Sequence, residues 1–195
     1  MSKTPKKIVL LCGNPDADTF TGGVLDRYQA AAEDVGHEIK RYNIGDMNFD
    51  PILHKGYKEI QQLEPDLLEW QNAVRECDHL VLAYPNWWCT MPAILKGLFD
   101  RVWLPGFAFN FNKETKRVES HLTGKTARVY VISGSHSPFK TWWRYGDYTN
   151  EIQYGILEFA GIKTKVTTFG PCERASDTCK NKWFKEVEGH AKAGK

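Results

Sequence analysis

Residues 80–104 read LVLAYPNWWCTMPAILKGLFDRVWL, and the hydrophobic pattern changes halfway along this stretch. The run Leu80–Tyr84 is apolar without alternation, which is typical of a strand buried on both faces. From Ile94 to Val102 the apolar residues follow helical spacing, and Pro92 suits a first helical turn. A doubly buried strand followed by a helix predicts an α/β fold with a parallel sheet.

A short loop, Pro85–Cys89, joins this strand to this helix and contains the adjacent tryptophans Trp87 and Trp88. In an open α/β sheet such a loop lies at the carboxyl edge, where ligands bind. Because adjacent side chains cannot both point inward, we interpret these tryptophans as lying beside a flat ring. The alternative, that both only plug an edge of the core, stays open. We interpret Cys89 as a small apolar packing residue rather than a thiol nucleophile, because no His/Asn pair evidently accompanies it.

The rest of the chain alternates strand and helix patterns, with no linker or internal repeat. We expect further strands at Lys6–Cys12, Glu38–Tyr42, Lys125–Ser133 and Lys163–Phe169. Helices should begin near Thr21, at Pro65, near Ile152 and after the N-cap Ser176, and the first should bury residues from Val24 to Val35. We expect loops over 105–120 and over 134–146. The first loop should contain an extended segment with one apolar face. This pattern predicts one domain over residues 1–195, a three-layer sandwich whose five-stranded parallel sheet has the order 2-1-3-4-5, with helices on both faces.

Composition excludes several classes of protein. The formal net charge is +2 and there is no long basic run, so nucleic-acid binding is not indicated. The cysteines number five, an odd count without Cys-x-x-Cys, which argues against a disulfide framework or a zinc site and favours a reduced cytoplasm. No stretch approaches the roughly 20 apolar residues of a spanning helix, so we expect no membrane insertion.

The order 2-1-3-4-5 brings the loops after strands one, three and four to one edge. The first of them, Asn14–Thr21, ends at a helix N-terminus, where backbone N–H groups and hydroxyls can bind a phosphate. Neither Walker A nor G-x-G-x-x-G is present. Asp16 and Asp18 suit a phosphate only if they point away or cap backbone amides, and an ordinary capped loop stays an alternative.

The loop after strand four, Ser133–Ser137, consists of small residues around His136. Small residues allow a ligand to approach the backbone closely. His136 could donate a proton or could be a solvated loop residue. Ser137 stands where a hydrolase elbow needs glycine, and no spacing of ligands suggests a metal.

Four segments carry a family resemblance. Met91–Val102, followed by Pro105–Phe109, closely resembles the flavodoxin-fold NAD(P)H:quinone oxidoreductases. This family includes the DT-diaphorases, the bacterial modulators of drug activity and the ancillary oxidoreductases of glutathione-gated potassium efflux. The loop Pro85–Trp88 and the turn Asp18–Thr21 also match the family.

The resemblance implies a flavin, FMN or FAD, at the carboxyl edge of a homodimer, with NAD(P)H as hydride donor. It implies the following cofactor contacts: Asn14, Asp18, Thr19, Phe20, Thr21, Pro85, Asn86, Trp87, Trp88, Cys89, Ser133, Gly134, Ser135 and His136. It further implies that Trp88, Phe109 and Phe111 line the substrate pocket, the two phenylalanines in the neighbouring subunit. Tyr145 falls where long members carry a proton-relaying His, and with His136 it is the catalytic candidate.

The sequence also departs from the family pattern. Asn14 replaces a His of the long members, and Gly134-Ser135 replaces a glycine pair. The adenosine-holding C-terminal extension of the long members has no counterpart, which favours FMN over FAD. The implied activity is ping-pong, two-electron transfer of hydride from NAD(P)H through flavin N5 to quinones or similar planar acceptors. Two alternatives remain: a regulatory flavoprotein subunit docked on a potassium-efflux transporter, and a one-electron carrier, although such carriers are usually strongly acidic.

Overall fold

The computed structural model describes residues 4–195, so that residues 1–3 of the expected domain lie outside the described part. The strands are β1 (Lys7–Cys12), β2 (Glu38–Asn43), β3 (His79–Pro85), β4 (Phe109–Asn112), β5 (Arg117–Ser120), β6 (Thr126–Ile132) and β7 (Lys163–Phe169). The helices are α1 (Phe20–Glu33), α2 (Pro65–Glu76), α3 (Ala93–Val102), α4 (Pro138–Tyr145) and α5 (Asp177–Lys192). A π-helix covers Glu151–Glu158, and short 3-10 turns cover Ile44–Asp46 and Gly56–Lys58.

The central sheet has the order β2-β1-β3-β6-β7, and all its strand pairs are parallel. Since β6 and β7 are its fourth and fifth strands, the predicted order 2-1-3-4-5 is confirmed. The β1–β3 register pairs Cys12 with Ala83, and the β3–β6 register pairs Pro85 with Ile132. The carboxyl ends of these central strands therefore lie side by side.

Two apolar layers cover the sheet. Every residue of β3 is buried, as the unbroken apolar run predicts. One face packs against α2, α3 and the π-helix, where the buried Trp70 contacts both Phe99 and Trp103. The other face packs against α1 and α5. Helices on both faces make the three-layer sandwich expected of the flavodoxin-like fold.

The start of α3 and the end of α1 differ slightly from the sequence-based expectation. Pro92 is the N-cap of α3, and its carbonyl accepts from the N–H groups of Leu95 and Lys96, so it precedes the first turn. The apolar face of α1 is buried as predicted as far as Ala32. Val35 is an exception: it is exposed because the helix ends at Glu33 and Gly36 turns the chain with φ +86°.

The segment predicted as a loop over 105–120 contains an antiparallel hairpin. Strands β4 and β5 pair Phe111 with Val118 and Asn112 with Arg117. The period-two pattern of phenylalanines correctly indicates an extended strand, but its apolar residues are not equally buried. Phe107 is buried and Phe109 half-buried, whereas Phe111 is exposed.

The predicted loop over 134–146 contains the helix α4. Ser137 is its N-cap and its side chain accepts from the N–H of Lys140 at 3.3 Å, with Pro138 in the first turn. Gly146, with φ +84°, follows its last residue. The prediction was wrong because α4 has only eight residues, too few for a helical hydrophobic period to be recognised, and it buries only Thr141. In the part of the chain from residue 4 onward, no helix is long and apolar enough to cross a membrane.

Candidate active site

Three loops meet at the carboxyl edge of the central sheet. Backbone bonds continue the sheet ladder into each of them: Gly13 N–H donates to Ala83 O, Asn86 N–H to Ile132 O, and Ser133 N–H to Phe169 O, each at 2.7 Å. These bonds fix the loop origins relative to one another. The edge that the sequence predicts as the ligand site is therefore built from the predicted loops.

The first loop is closed by its own side chains. Asn14 is buried; its Nδ2 donates to Thr19 Oγ1 at 3.0 Å and its Oδ1 accepts from the N–H of Asp16 at 3.3 Å. Thr19 Oγ1 in turn donates to the carbonyl of Asp16 at 3.1 Å. Asp16 Oδ1 accepts from the N–H of Asp18 at 2.9 Å, so the Asp16 carboxylate caps a backbone amide. Such capping is the condition under which this aspartate suits a bound phosphate. Asn14 and Thr19 thus order the loop with their side chains.

The loop leads directly into the N-terminus of α1. The first N–H groups of a helix have no partner within it, so those of Phe20 and Thr21 are available to an anion. The ring of Phe20 packs on Trp183 and Phe184 of α5, which leaves only its backbone for such a contact. A Cβ at Gly22 would lie 1.8 Å from the carbonyl oxygen of Ala17, so the loop can fold over the helix only with glycine there.

The second loop contains a tight turn of unusual composition. The N–H groups and carbonyls of Trp87 and Thr90 bond to each other at 3.0 and 3.1 Å. The residues between them, Trp88 and Cys89, have φ of +56° and +66°. Turns with both central residues left-handed normally use Asn or Gly. A tryptophan and a cysteine there store roughly 1–2 kcal/mol each, a cost often found at functional sites.

The side chains of this loop point in different directions. Trp88 is 99% exposed and Trp87 is 46% exposed, so neither plugs the core. Cys89 is half-buried and packs against the core. Asn86 Oδ1 is buried, with no hydrogen-bond partner in the described chain. An orphaned acceptor at this edge fits a ligand that brings an N–H group, because a buried polar atom without a partner is costly.

The third loop is held by the segment that follows β7. The carbonyls of Ser133 and Gly134 accept from the N–H groups of Cys172 and Glu173 at 3.0 and 3.1 Å. A Cβ at Gly134 would lie 2.7 Å from Glu173 Oε1. Glu173 is therefore an edge residue that sequence reasoning missed. The Gly170-Pro171 turn before it was the available signal.

The two catalytic candidates lie at opposite ends of α4. His136 is half-buried before the helix, with Nδ1 2.7 Å from Ser135 Oγ. Tyr145 is the last residue of the helix, is exposed, and lies under the guanidinium of Arg144. The helix has eight residues and is about 12 Å long. The structure therefore brings His136 to the carboxyl edge but does not bring Tyr145 beside it.

Two cavities adjoin this edge. One, of about 260 Å³, lies beneath α4 and is lined by Phe139, Trp142, Tyr148 and Thr168 among others. The other, of about 400 Å³, lies between α3, β4 and the π-helix, and includes Phe109, whose ring meets that of Phe159 edge-to-face at 5.0 Å. Glu151 connects this second cavity to the Trp88 loop, since it accepts from Thr90 Oγ1 at 2.5 Å. Trp88 lines neither cavity.

Charge and metal-binding features of the edge are few. Burial raises the pKa of Tyr84 above its usual range, and the nearby Glu151 carboxylate adds to this, so the phenol stays neutral. Partial burial acts to raise the pKa of Asp147. The hydrogen bonds from Thr149 outweigh burial and hold this pKa below its usual value. Within residues 4–195 no three His, Cys, Asp or Glu side chains are grouped to hold a metal ion.

Comparisons with known proteins agree with this architecture. Residues 6–182 match the model of the flavodoxin-like fold family. A ribosyldihydronicotinamide dehydrogenase [quinone] of Rattus norvegicus is 30% identical, covering 85% of this chain and 82% of the relative. The corresponding protein of Pongo abelii is 33% identical, covering 81% and 78%. A solved NAD(P)H:quinone oxidoreductase from Methanothermobacter marburgensis superposes with a TM-score of 0.84 at 22% identity, covering 98% and 100%.

A further solved structure shares this fold. An FMN-dependent NADH-azoreductase of Bacillus anthracis, solved in complex with FMN, has a TM-score of 0.72 at 16% identity, over 95% of this chain and 97% of its own. At that identity the likeness shows the fold. With the family match over 6–182 and the curated relatives, the chain belongs to the flavodoxin-fold NAD(P)H:quinone oxidoreductase family.

Proposed function

We propose that this protein binds a flavin at the carboxyl edge and uses it to pass hydride from NAD(P)H to quinones or similar planar acceptors. The observation that carries the proposal is the juxtaposition of the Asn14–Thr19 loop, the left-handed Trp88 turn and the Ser133–His136 loop around the unsatisfied Asn86 Oδ1. Relatives named as quinone dehydrogenases support the reaction class. We infer that the whole chain acts as one flavin-binding domain.

The residues present fit a flavin mononucleotide. The N–H groups at the start of α1, presented by the ordered Asn14–Thr19 loop, would hold the phosphate. Asn86 Oδ1 would accept from a ring N–H, and the backbone of Pro85–Cys89 and of Ser133–His136 would flank the ring. When bound, the flavin supplies the hydride relay through its N5. The first loop offers one phosphate site, so we infer FMN rather than FAD.

The chain's own contribution is positioning and proton supply. Trp88, projecting fully from its turn, would form an aromatic wall for nicotinamide and then for the acceptor, which explains alternating binding in one slot. His136, at the same edge and bonded to Ser135, would donate the proton that the reduced acceptor needs. Tyr145, at the far end of α4, would act at the outer rim of the slot.

The neighbouring subunit would complete this slot. We infer a homodimer, because Phe111 and Val118 leave an apolar pair exposed on the hairpin while Phe109 lines the adjacent cavity. Trp88 lines neither the cavity beneath α4 nor the one that contains Phe109. In the proposed homodimer, Trp88 of one copy and Phe109 of the other would form one pocket.

One experiment tests the proposal directly. The protein is purified, any flavin is released by heat and identified by chromatography, and NADH and NADPH oxidation is measured with and without a soluble quinone. We expect FMN, and quinone-dependent turnover whose double-reciprocal plots are parallel. A protein that neither carries flavin nor takes it up on reconstitution would refute the proposal. Flavin without NAD(P)H-dependent turnover would instead indicate a one-electron carrier.

A further inference from the structure

A third cavity lies at the opposite, amino edge of the sheet. It has a volume of about 360 Å³ and lies among β3, β6, β7 and the segment after α5. Its charged and imidazole side chains are Lys6, His79, Arg128, Lys163, Lys165 and Lys195. None of the ten residues that line it, all within the described range 4–195, has an acidic side chain. The cavity is thus cationic in a chain whose net charge is only +2.

Strand register explains why these cations share one face. His79 of β3 pairs with Thr126 of β6, which in turn pairs with Lys163 of β7. Arg128 of β6 pairs with Lys165 of β7. Directly paired residues of neighbouring strands point to the same side of a sheet. This is the side covered by α1 and α5, where an apolar layer is otherwise the rule. Like charges placed opposite each other on adjacent strands are destabilising.

Arg128 is the central residue of this cavity. It is only 7% exposed, and in the described chain its guanidinium forms no ion pair with a carboxylate. Its Nη1 donates to Thr167 Oγ1 at 3.2 Å, and its Nε is buried without a partner. A buried, unpaired guanidinium is costly unless an anion accompanies it.

His79 supplies a second unsatisfied atom in the same cavity. It is 1% exposed, its Nδ1 lies 2.7 Å from Thr126 Oγ1, and its Nε2 is buried without a partner. Burial, followed by the charges of Lys6 and Arg128, lowers the pKa of His79 to about 3. The imidazole is therefore neutral and adds a hydrogen-bonding group without adding charge.

We propose that this cavity binds a small soluble phosphate-bearing anion, with Arg128 as its recessed anchor and Lys165 as the cation at its mouth. The planar guanidinium matches phosphate oxygens, and the flanking ammonium groups match the second negative charge. The volume lies in the roughly 300–1,000 Å³ range of small-molecule sites, so a phosphate monoester fits as well as free phosphate. A lipid headgroup is a poorer match because the anchor is recessed rather than projecting.

The test uses the full chain and inorganic phosphate as the probe, with chloride at matched ionic strength. We expect phosphate, at about ten times its Kd, to raise Tm by roughly 3–6 °C, and chloride to have no such effect. By isothermal titration Arg128→Gln should weaken phosphate binding at least about tenfold. The matched control Arg117→Gln, at an exposed arginine of β5, should leave it unchanged.

Three outcomes of the titrations with phosphate, chloride and the Arg128 and Asn14 variants would overturn the proposal. They are an equal shift with chloride, phosphate affinity retained in Arg128→Gln, and a loss of affinity in Asn14→Ala but not in Arg128→Gln, which would locate binding at the α1 loop. If Arg128→Gln does not fold, the exposed Lys165→Gln decides, with a loss of affinity expected and an unchanged affinity refuting the site. Vesicles containing phosphatidate should not sediment the protein; sedimentation without binding of free phosphate would assign the cations to a membrane surface instead.

Discussion

Arg101 Nη2 lies 2.8 Å from Glu64 Oε2, and this ion pair ties α3 to the irregular segment before α2. The Arg101 side chain is fully buried, and it also donates to the carbonyls of Asp50 and Gln62. A Cβ at Gly97, one turn earlier, would lie 2.5 Å from Pro51. Residues 97 and 101 of the family-like stretch therefore fix residues 50–64, rather than contacting a ligand.

Arg101→Met should destabilise the protein strongly. The methionine keeps much of the volume but leaves Glu64 and the two carbonyls without their donor. Leaving acceptors without their donor costs about 1–3 kcal/mol, and the Glu64 side chain, which is 29% exposed, stays accessible to water. The free energy of unfolding, from urea denaturation of the flavin-free protein, measures this.

Lys96→Met is the matched control for that substitution. Lys96 and Asp100 form an ion pair on the same helix, at 2.7 Å, but their side chains are 44% and 38% exposed, so that water reaches both. Its loss should cost no more than about 0.5 kcal/mol. Comparable losses in the two variants would show that Arg101 is not a special anchor.

Asn14→Ala should weaken flavin binding more than it weakens the fold. Asn14 makes two hydrogen bonds, both within the loop that would present N–H groups to the phosphate. We expect flavin affinity to fall at least about tenfold, while the free energy of unfolding of the flavin-free protein falls by about 1–2 kcal/mol. Flavin fluorescence titration gives the first quantity and urea denaturation the second. Asn181→Ala, exposed on α5, serves as control; equal affinities for both variants would contradict a role of the loop.

Trp88→Ala should raise KM for quinone without abolishing flavin binding. Its side chain is 99% exposed, so truncation removes no packing, but it removes the proposed aromatic wall. Trp143→Ala, 73% exposed on α4, is the matched loss of an indole. Steady-state kinetics with a soluble quinone that are unchanged in Trp88→Ala would exclude the role.

Trp88→Gly should show the strain in the same turn. Glycine adopts φ near +56° at no steric cost, whereas alanine does not. Trp88→Gly should therefore be more stable than Trp88→Ala by roughly 1 kcal/mol, with an equally raised KM. If the two variants unfold at the same urea concentration, the turn is not strained.

The sequence-based predictions succeeded where burial follows a simple period. The unbroken apolar run of β3 and the apolar face of α1 as far as Ala32 are buried as expected. The sequence-based predictions failed where a segment contacts residues that are distant in sequence, or where it packs against few residues. The helix α4 has only eight residues, too few to show a helical period. The left-handed Trp88 and Cys89 could not be inferred, since both residues normally avoid that conformation. Long-range contacts such as Glu173 N–H to Gly134 O leave no local pattern.

Phe111→Asp should convert a dimer into monomers. Phe111 and Val118 are a cross-strand pair, 57% and 42% exposed, on a hairpin that extends from the sandwich. A carboxylate there would be desolvated in the proposed interface. Light scattering after gel filtration should show the smaller species, and quinone turnover should fall while flavin stays bound. Val35→Asp, 43% exposed after α1, should remain dimeric; a wild-type monomer would contradict the interface.

His79 should make the fold sensitive to mild acid. Burial, then the charges of Lys6 and Arg128, lower its pKa from 6.5 to about 3, and His37 acts in the same direction. The unfolded chain therefore takes up a proton below about pH 6.5 that the folded chain refuses. The stability that His79 contributes is fully present above that pH and declines as pH falls towards 3. The slope is about 1.4 kcal/mol per pH unit.

Urea denaturation at pH 7, 6 and 5 checks this, because most carboxyl groups with lowered pKa values titrate below that window. His190, whose pKa is also lowered by burial, contributes with the same sign, so the comparison is between variants. His79→Gln removes the imidazole and should flatten the dependence between pH 6 and 5 by about 1 kcal/mol. His121→Gln, at an exposed histidine, should keep the wild-type slope. An identical slope in His79→Gln and the wild type would mean that the protonated imidazole is accommodated in the fold, and that the cationic cavity around it is open to water.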